Sequence, residues 1–153
     1  MVVPDLISPF ILPILAGAQH TLSEVGYSLL IGSDDEGSPR TKPAIETFLD
    51  RRVDGLIVAN AQLEFTPPGA VLRNEVPTVL VSRSVAGDSF PAIVGDDHAA
   101  LSLVVRHLVE LGHTRIAHIA GPLDISTGLF RRDGFVRAVT DQGLEAGALG
   151  GAG

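Results

Sequence analysis

The chain contains no cysteine. No disulfide can staple it, and no thiolate can act as nucleophile or metal ligand; the absence fits a reducing compartment. Basic residues are scarce: 11 Lys and Arg stand against 18 Asp and Glu, a formal net charge of −7. That sign opposes contact with phosphate backbones, so these 153 residues alone make a poor nucleic-acid binder. No apolar run is long enough to span a bilayer, so no membrane partner is expected. Residues 10–18 are apolar and end in Ala16-Gly17-Ala18, which mimics a signal-peptidase site. Asp5 stands where a cationic region belongs, no Lys or Arg precedes the run, and Pro9 and Pro13 interrupt it. The run is therefore read as part of the folded chain.

Catalytic signatures are missing too. Gly26-Tyr27-Ser28 continues with Leu29-Leu30, so there is no Gly-x-Ser-x-Gly elbow, and there is no Walker loop. No nucleophile has an adjacent base, so no catalytic residue is named and no enzyme is expected. The five histidines are His20, His98, His107, His113 and His118. None forms a His-x-x-x-His pair, and His113 and His118 would point to opposite faces of the strand between them. Neither a metal nor a cofactor is expected. The tail from Gly143 to Gly153 carries five glycines but lacks the preceding strand and following helix of a dinucleotide fingerprint. It reads as a Gly-rich tail, 143–153.

What is present is alternation. The chain is 45% hydrophobic, enough for a packed core, and its length allows one domain or one lobe plus part of another. Strand signals at 2–3, 27–31, 53–59, 79–82, 92–94 and 116–120 are separated by helical periodicity. That pattern predicts an α/β fold with a parallel sheet and helices on both faces. A first helix spans about 9–25, with Phe10, Ile14, Ala18, Leu22 and Val25 inward. Ile11 and Leu12 beside that stripe suggest a self-association face or, equally, the completion of the core. A second helix spans about 39–52, with Ile45, Phe48 and Leu49 inward and Pro43 forcing a kink or a late start. A short helix falls near 68–73. Asp96 or Asp97 caps a helix carrying Leu101, Val104, Val105 and Leu108, which Gly112 ends. A last helix covers 127–142.

Ligands of parallel sheets sit beyond the carboxyl ends of the strands. That rule selects residues 5–10, 32–35, 60–61 and 121–131, with Ser82-Arg83 on the same rim. Such loops are also polar simply because their backbone must stay solvated. Arg131 is the best single candidate, since a guanidinium offers a rigid fork of donors to hydroxyls or a carboxylate. Asp96 and Asp97 could accept from a polyol.

Six pieces in order carry a resemblance. They are the segment Val3-Pro4-Asp5-Leu6-Ile7-Ser8-Pro9-Phe10, the strand Arg52-Val53-Asp54-Gly55-Leu56-Ile57-Val58, residues 77–83, the pair Asp96-Asp97, residues 107–122 with Leu111-Gly112-His113-Thr114-Arg115-Ile116, and Thr127 to Phe135 with Arg131-Arg132-Asp133-Gly134. Together, from Val2 to about Gly143, they resemble the effector-binding domain of LacI/GalR-type transcriptional regulators. The resemblance implies a periplasmic-binding-protein-like type I fold: two lobes closing on a small effector, often a sugar or purine. It implies residues 1–112 as the first lobe and 113–142 as the beginning of the second. It also implies ligand-binding roles for Ser8 and Phe10 in the first loop, Asp96 or Asp97 at the hinge side, and Thr127 and Arg131 from the second lobe. Ser82 stands where an aspartate is common. Ile125 stands where purine sensors resemble one another in having a cation, so the implied effector is a sugar or polyol. DNA contact would come through a helix-turn-helix headpiece, and the full-length protein would be a cytoplasmic homodimer. Family members also return to the first lobe after the second, adding a strand and a helix. Neither the headpiece nor that return is in this sequence, so a fragment of a regulator is expected. The alternative is a periplasmic sugar-binding protein of an ABC transporter.

Overall fold

A computed structural model describes residues 1–33, 41–73 and 75–144. Five short strands form one parallel sheet: β1 (Val2–Val3), β2 (Gly32–Ser33), β3 (Leu56–Val58), β4 (Thr78–Val81) and β5 (Ala92–Ile93), in the order β2-β1-β3-β4-β5. Leu56, Ile57 and Val58 pair with Thr78, Val79 and Leu80, which fixes the centre of the sheet. Successive side chains of a strand point to opposite faces. Val3 and Ala59 therefore pack with Met1 and with Ile11 and Leu15 of α1 (Ile11–Glu24). Val2, Val58 and Leu80 pack on the other face with Ile45 and Phe48 of α2 (Thr41–Asp50) and Val71 of α3 (Gly69–Leu72). Helices thus cover both faces, as expected.

The remaining helices make their own core. Val105 of α4 (Asp97–Glu110) packs with Phe135, Ala138 and Val139 of α5 (Ser126–Asp141), with Leu101, Val109 and Ile116 partly buried against them. The expected first lobe, 1–112, includes α4; in the structure α4 shares its core with α5 and not with the sheet. Helix–helix approach is close because Gly134 has no side chain: a Cβ there would lie 3.1 Å from His98 Cα. Gly112, at φ +86°, ends α4 in the left-handed conformation that suits glycine.

Several expectations are corrected. The strand expected at 116–120 has no ladder, and Ile119 is 93% exposed. A parallel strand is stable only beside a partner that takes its amides and carbonyls, and none among the described residues does so. The strand expected at 27–31 is shifted: only Gly32–Ser33 pairs with β1, which offers just two ladder residues. In α1 the buried stripe is Ile11 and Leu15, with Ile14 and Ala18 partly buried. Phe10 precedes the helix and Val25 follows it, so both escape the stripe and are exposed. Ile11 completes the core and leaves Leu12 exposed. Val104 of α4 is exposed, Val105 buried. Pro43 falls in the first turn of α2, where its missing N–H breaks no helical bond. Loop residues 34–37 and tail residues 145–153 lie outside the described residues.

Candidate functional site

The carboxyl ends of β1, β3 and β4 open on a cleft of about 300 Å3. One wall comes from the loop after β1. Asp5 Oδ1 accepts the backbone N–H groups of Ile7 and Ser8. The Ser8 carbonyl then accepts the N–H groups of Ile11 and Leu12, tying the loop to the start of α1. Ser8 and Phe10 both line the cleft, and the Phe10 ring stays 60% exposed, an aromatic surface held by a rigid turn. The floor is Pro4 and Ala59, and Ser82 and Arg83 after β4 close one side. Ser82 is a non-glycine residue at φ +69°, and Arg83 is buried. Backbone held in a sparsely populated region clusters at ligand sites.

The opposite wall belongs to the last helix. Ile125, Thr127 and Arg131 line it. Arg131 Nε donates to Asp97 Oδ1 at 2.8 Å. The guanidinium carries five N–H donors, so this bond leaves its terminal nitrogens for another acceptor. Asp97 is therefore a positioning partner behind Arg131 and does not line the cleft. Asp96 is neither: its Oδ1 accepts the Ala99 N–H at 2.9 Å, which caps α4. Of the six expected site residues, the fold thus brings Ser8, Phe10, Thr127 and Arg131 to one opening. Asp97 stands one contact away, and Asp96 serves the helix. Asp5 and Arg83 lie in segments that the strand-end rule selected, but nothing in their residue type singled them out. Among the described residues no cluster of His, Asp or Glu could hold a metal.

A larger groove, about 870 Å3, lies at the amino ends of the strands, lined by Leu22, Tyr27, Leu29, Ile57 and Val79 among others. Its walls are largely apolar flank of the sheet, away from the ends where parallel sheets hold ligands. There the Met1 ammonium donates to the Leu30 carbonyl, and burial pulls its pKa down to about 6.

Residues 1–148 match the family of periplasmic binding proteins and the sugar binding domain of the LacI family. The chain belongs to this family. Among its relatives, the HTH-type transcriptional regulator MalR of Streptomyces coelicolor is 36% identical over 95% of this chain and 44% of its own length. The HTH-type transcriptional repressor CytR of Escherichia coli is 29% identical over 94% of this chain and 42% of its own. The structure of the transcriptional regulator CelR in complex with cellobiose superposes with a TM-score of 0.81 at 26% identity, covering 95% of this chain and 46% of that one. The chain therefore spans less than half the length of these relatives. These three relatives are transcriptional regulators, and none of them is a transport component. No helix among the described residues is long and apolar enough to cross a membrane.

Proposed function

We propose that this chain is the sensing part of a LacI-type transcriptional regulator and that the 300 Å3 cleft takes a sugar or polyol effector. The observation that carries the reading is convergence: Ser8 and Phe10 from one wall meet Thr127 and Arg131 from the other, across the carboxyl ends of the strands. The chemistry suits a neutral, hydroxyl-rich ligand. Phe10 offers an apolar face, Ser8, Ser82 and Thr127 offer hydroxyls, and the Arg131 charge is offset by Asp97. CelR, which shares this fold, is seen in complex with cellobiose.

In this reading the protein performs no catalysis and needs no cofactor. DNA is contacted through a helix-turn-helix headpiece outside these 153 residues, in a cytoplasmic homodimer. The lobes divide at 94–96, between β5 and α4, because α4 and α5 share one core; the second lobe thus begins before residue 113. The return strand and helix of the full-length protein cover the β5 edge, where Ile93 is 68% exposed, and the sheet flank around Ile57 and Val79. Calorimetry with a panel of mono- and disaccharides tests the function. Micromolar binding of a sugar by the full-length regulator, weak or absent in this chain, is the expected result. Tight binding of a purine instead, or equal affinity in both proteins, overturns it.

A further inference from the structure

Ser126, the first residue of α5, is 1% exposed, whereas its neighbours Ile125 and Thr127 both line the cleft. Its Oγ accepts the Ser84 N–H at 2.9 Å, joining positions 42 residues apart. Two residues earlier the Asp124 carbonyl accepts the Leu63 N–H at 2.8 Å, and its carboxylate accepts from Gln62 Nε2 at 3.4 Å. The Leu63 carbonyl in turn accepts the Ala86 N–H at 3.0 Å. The loops after β3, after β4 and before α5 are thus laced along one edge of the cleft. The covalent path from the sheet to the helix pair runs elsewhere, through residues 94–96, where Gly95 has no neighbour that a side chain would meet.

The backbone of Ser82 gives this seam its direction. With φ +69° it turns the chain after β4 in a way that L-residues adopt only when the surroundings hold them there. Arg83 is then buried, and the next amide, that of Ser84, meets Ser126. The Ser126 hydroxyl is buried and the Ser84 amide half-buried, so breaking the bond leaves groups that water only partly satisfies.

We propose that Ser126 is the catch of the cleft: its buried hydroxyl, taking the Ser84 amide, holds α5 against the rim of the sheet. Its significance for sensing rests on the reading of the cleft as an effector site, but the catch itself does not. Residue-resolved amide hydrogen exchange on the 153-residue chain, with no sugar added, tests it. In the wild type the Ser84 and Leu63 amides exchange together through an opening that leaves the Leu80 amide, bonded to the Pro91 carbonyl, protected. Ser126→Ala raises exchange at Ser84 and Leu63 about tenfold and leaves Leu80 unchanged. Unchanged exchange at Ser84 overturns the proposal, and so does a rise at Leu80 in step with the seam, which marks Ser126 as a general packing residue. If the variant does not fold, the wild type alone decides: seam amides as slow as Leu80 have no opening of their own, and the catch does not exist. If the chain passes this test while the full-length regulator binds no sugar, the catch stands and the effector reading falls.

Discussion

Arg131 Nε lies 2.8 Å from Asp97 Oδ1, and the two side chains differ in exposure, 52% for Arg131 against 13% for Asp97. The carboxylate is held close against the helix pair while the guanidinium reaches the cleft. Each comes from a different helix, so the pair reports whether α4 and α5 are packed in register.

Removing the guanidinium should separate binding from stability. In the full-length protein Arg131→Ala is expected to weaken sugar binding by about 10- to 100-fold, as loss of a charged hydrogen-bonding partner does. Because Arg131 is half exposed, the stability change should stay below about 1 kcal/mol. Calorimetry alongside urea denaturation measures both. Unaltered affinity would remove Arg131 from the site.

Close approach makes two glycines unequal. A Cβ at Gly128 would lie 1.9 Å from the Pro122 carbonyl oxygen, whereas one at Gly134 would lie 3.1 Å from His98 Cα. Gly128→Ala must displace backbone and is expected to cost about 2 kcal/mol or more. Gly134→Ala offsets its crowding with up to ~1 kcal/mol of helix propensity and should cost less. Thermal unfolding of both variants gives the order, which the reverse ranking would refute.

In the 153-residue chain taken by itself, where Met1 carries a free ammonium, that group sets a pH dependence. Burial lowers its pKa from 8.0 to about 6, so between those values the unfolded chain binds more protons than the folded one. Stability therefore rises as pH goes from 6 to 8, and the penalty is complete below about 6. The shift corresponds to a gain of at most about 2–3 kcal/mol before solvent screening is discounted. Urea midpoints at the two pH values, repeated on an N-terminally acetylated chain that lacks the ammonium, should show the rise in the first and less of it in the second.

Net charge sets the expectation for DNA. With −7 overall, the chain should show no sequence preference in a fluorescence-anisotropy titration at moderate salt. Submicromolar, sequence-specific binding by these residues alone would contradict the assignment of DNA contact to a headpiece.

Much of the architecture is written in local pattern. Alternating apolar runs and helical spacing determine the parallel sheet, α2 with Ile45 and Phe48 inward, and the stops at Gly26 and Gly112, both at positive φ. These depend on period, capping and backbone sterics within a few residues. The rim segments holding Ser8, Phe10, Thr127 and Arg131 follow from the same pattern, since strand ends announce themselves.

Tertiary structure alone decided the rest. Asp96 and Asp97 are chemically identical neighbours; the first caps α4 through a local bond, and only the packing of α5 makes the second the partner of Arg131. Residues 116–120, apolar apart from His118, read locally as a strand yet form no ladder, because a strand exists only through hydrogen bonds to a neighbour. Phe10 reads as a core residue by composition and stands exposed at the cleft because α1 begins one residue later. Ser126 falls in the rim segment 121–131, but nothing in the local sequence marks it for burial. Its burial and its bond to Ser84 arise where loops distant in the chain meet, and a local pattern holds no information about such a meeting.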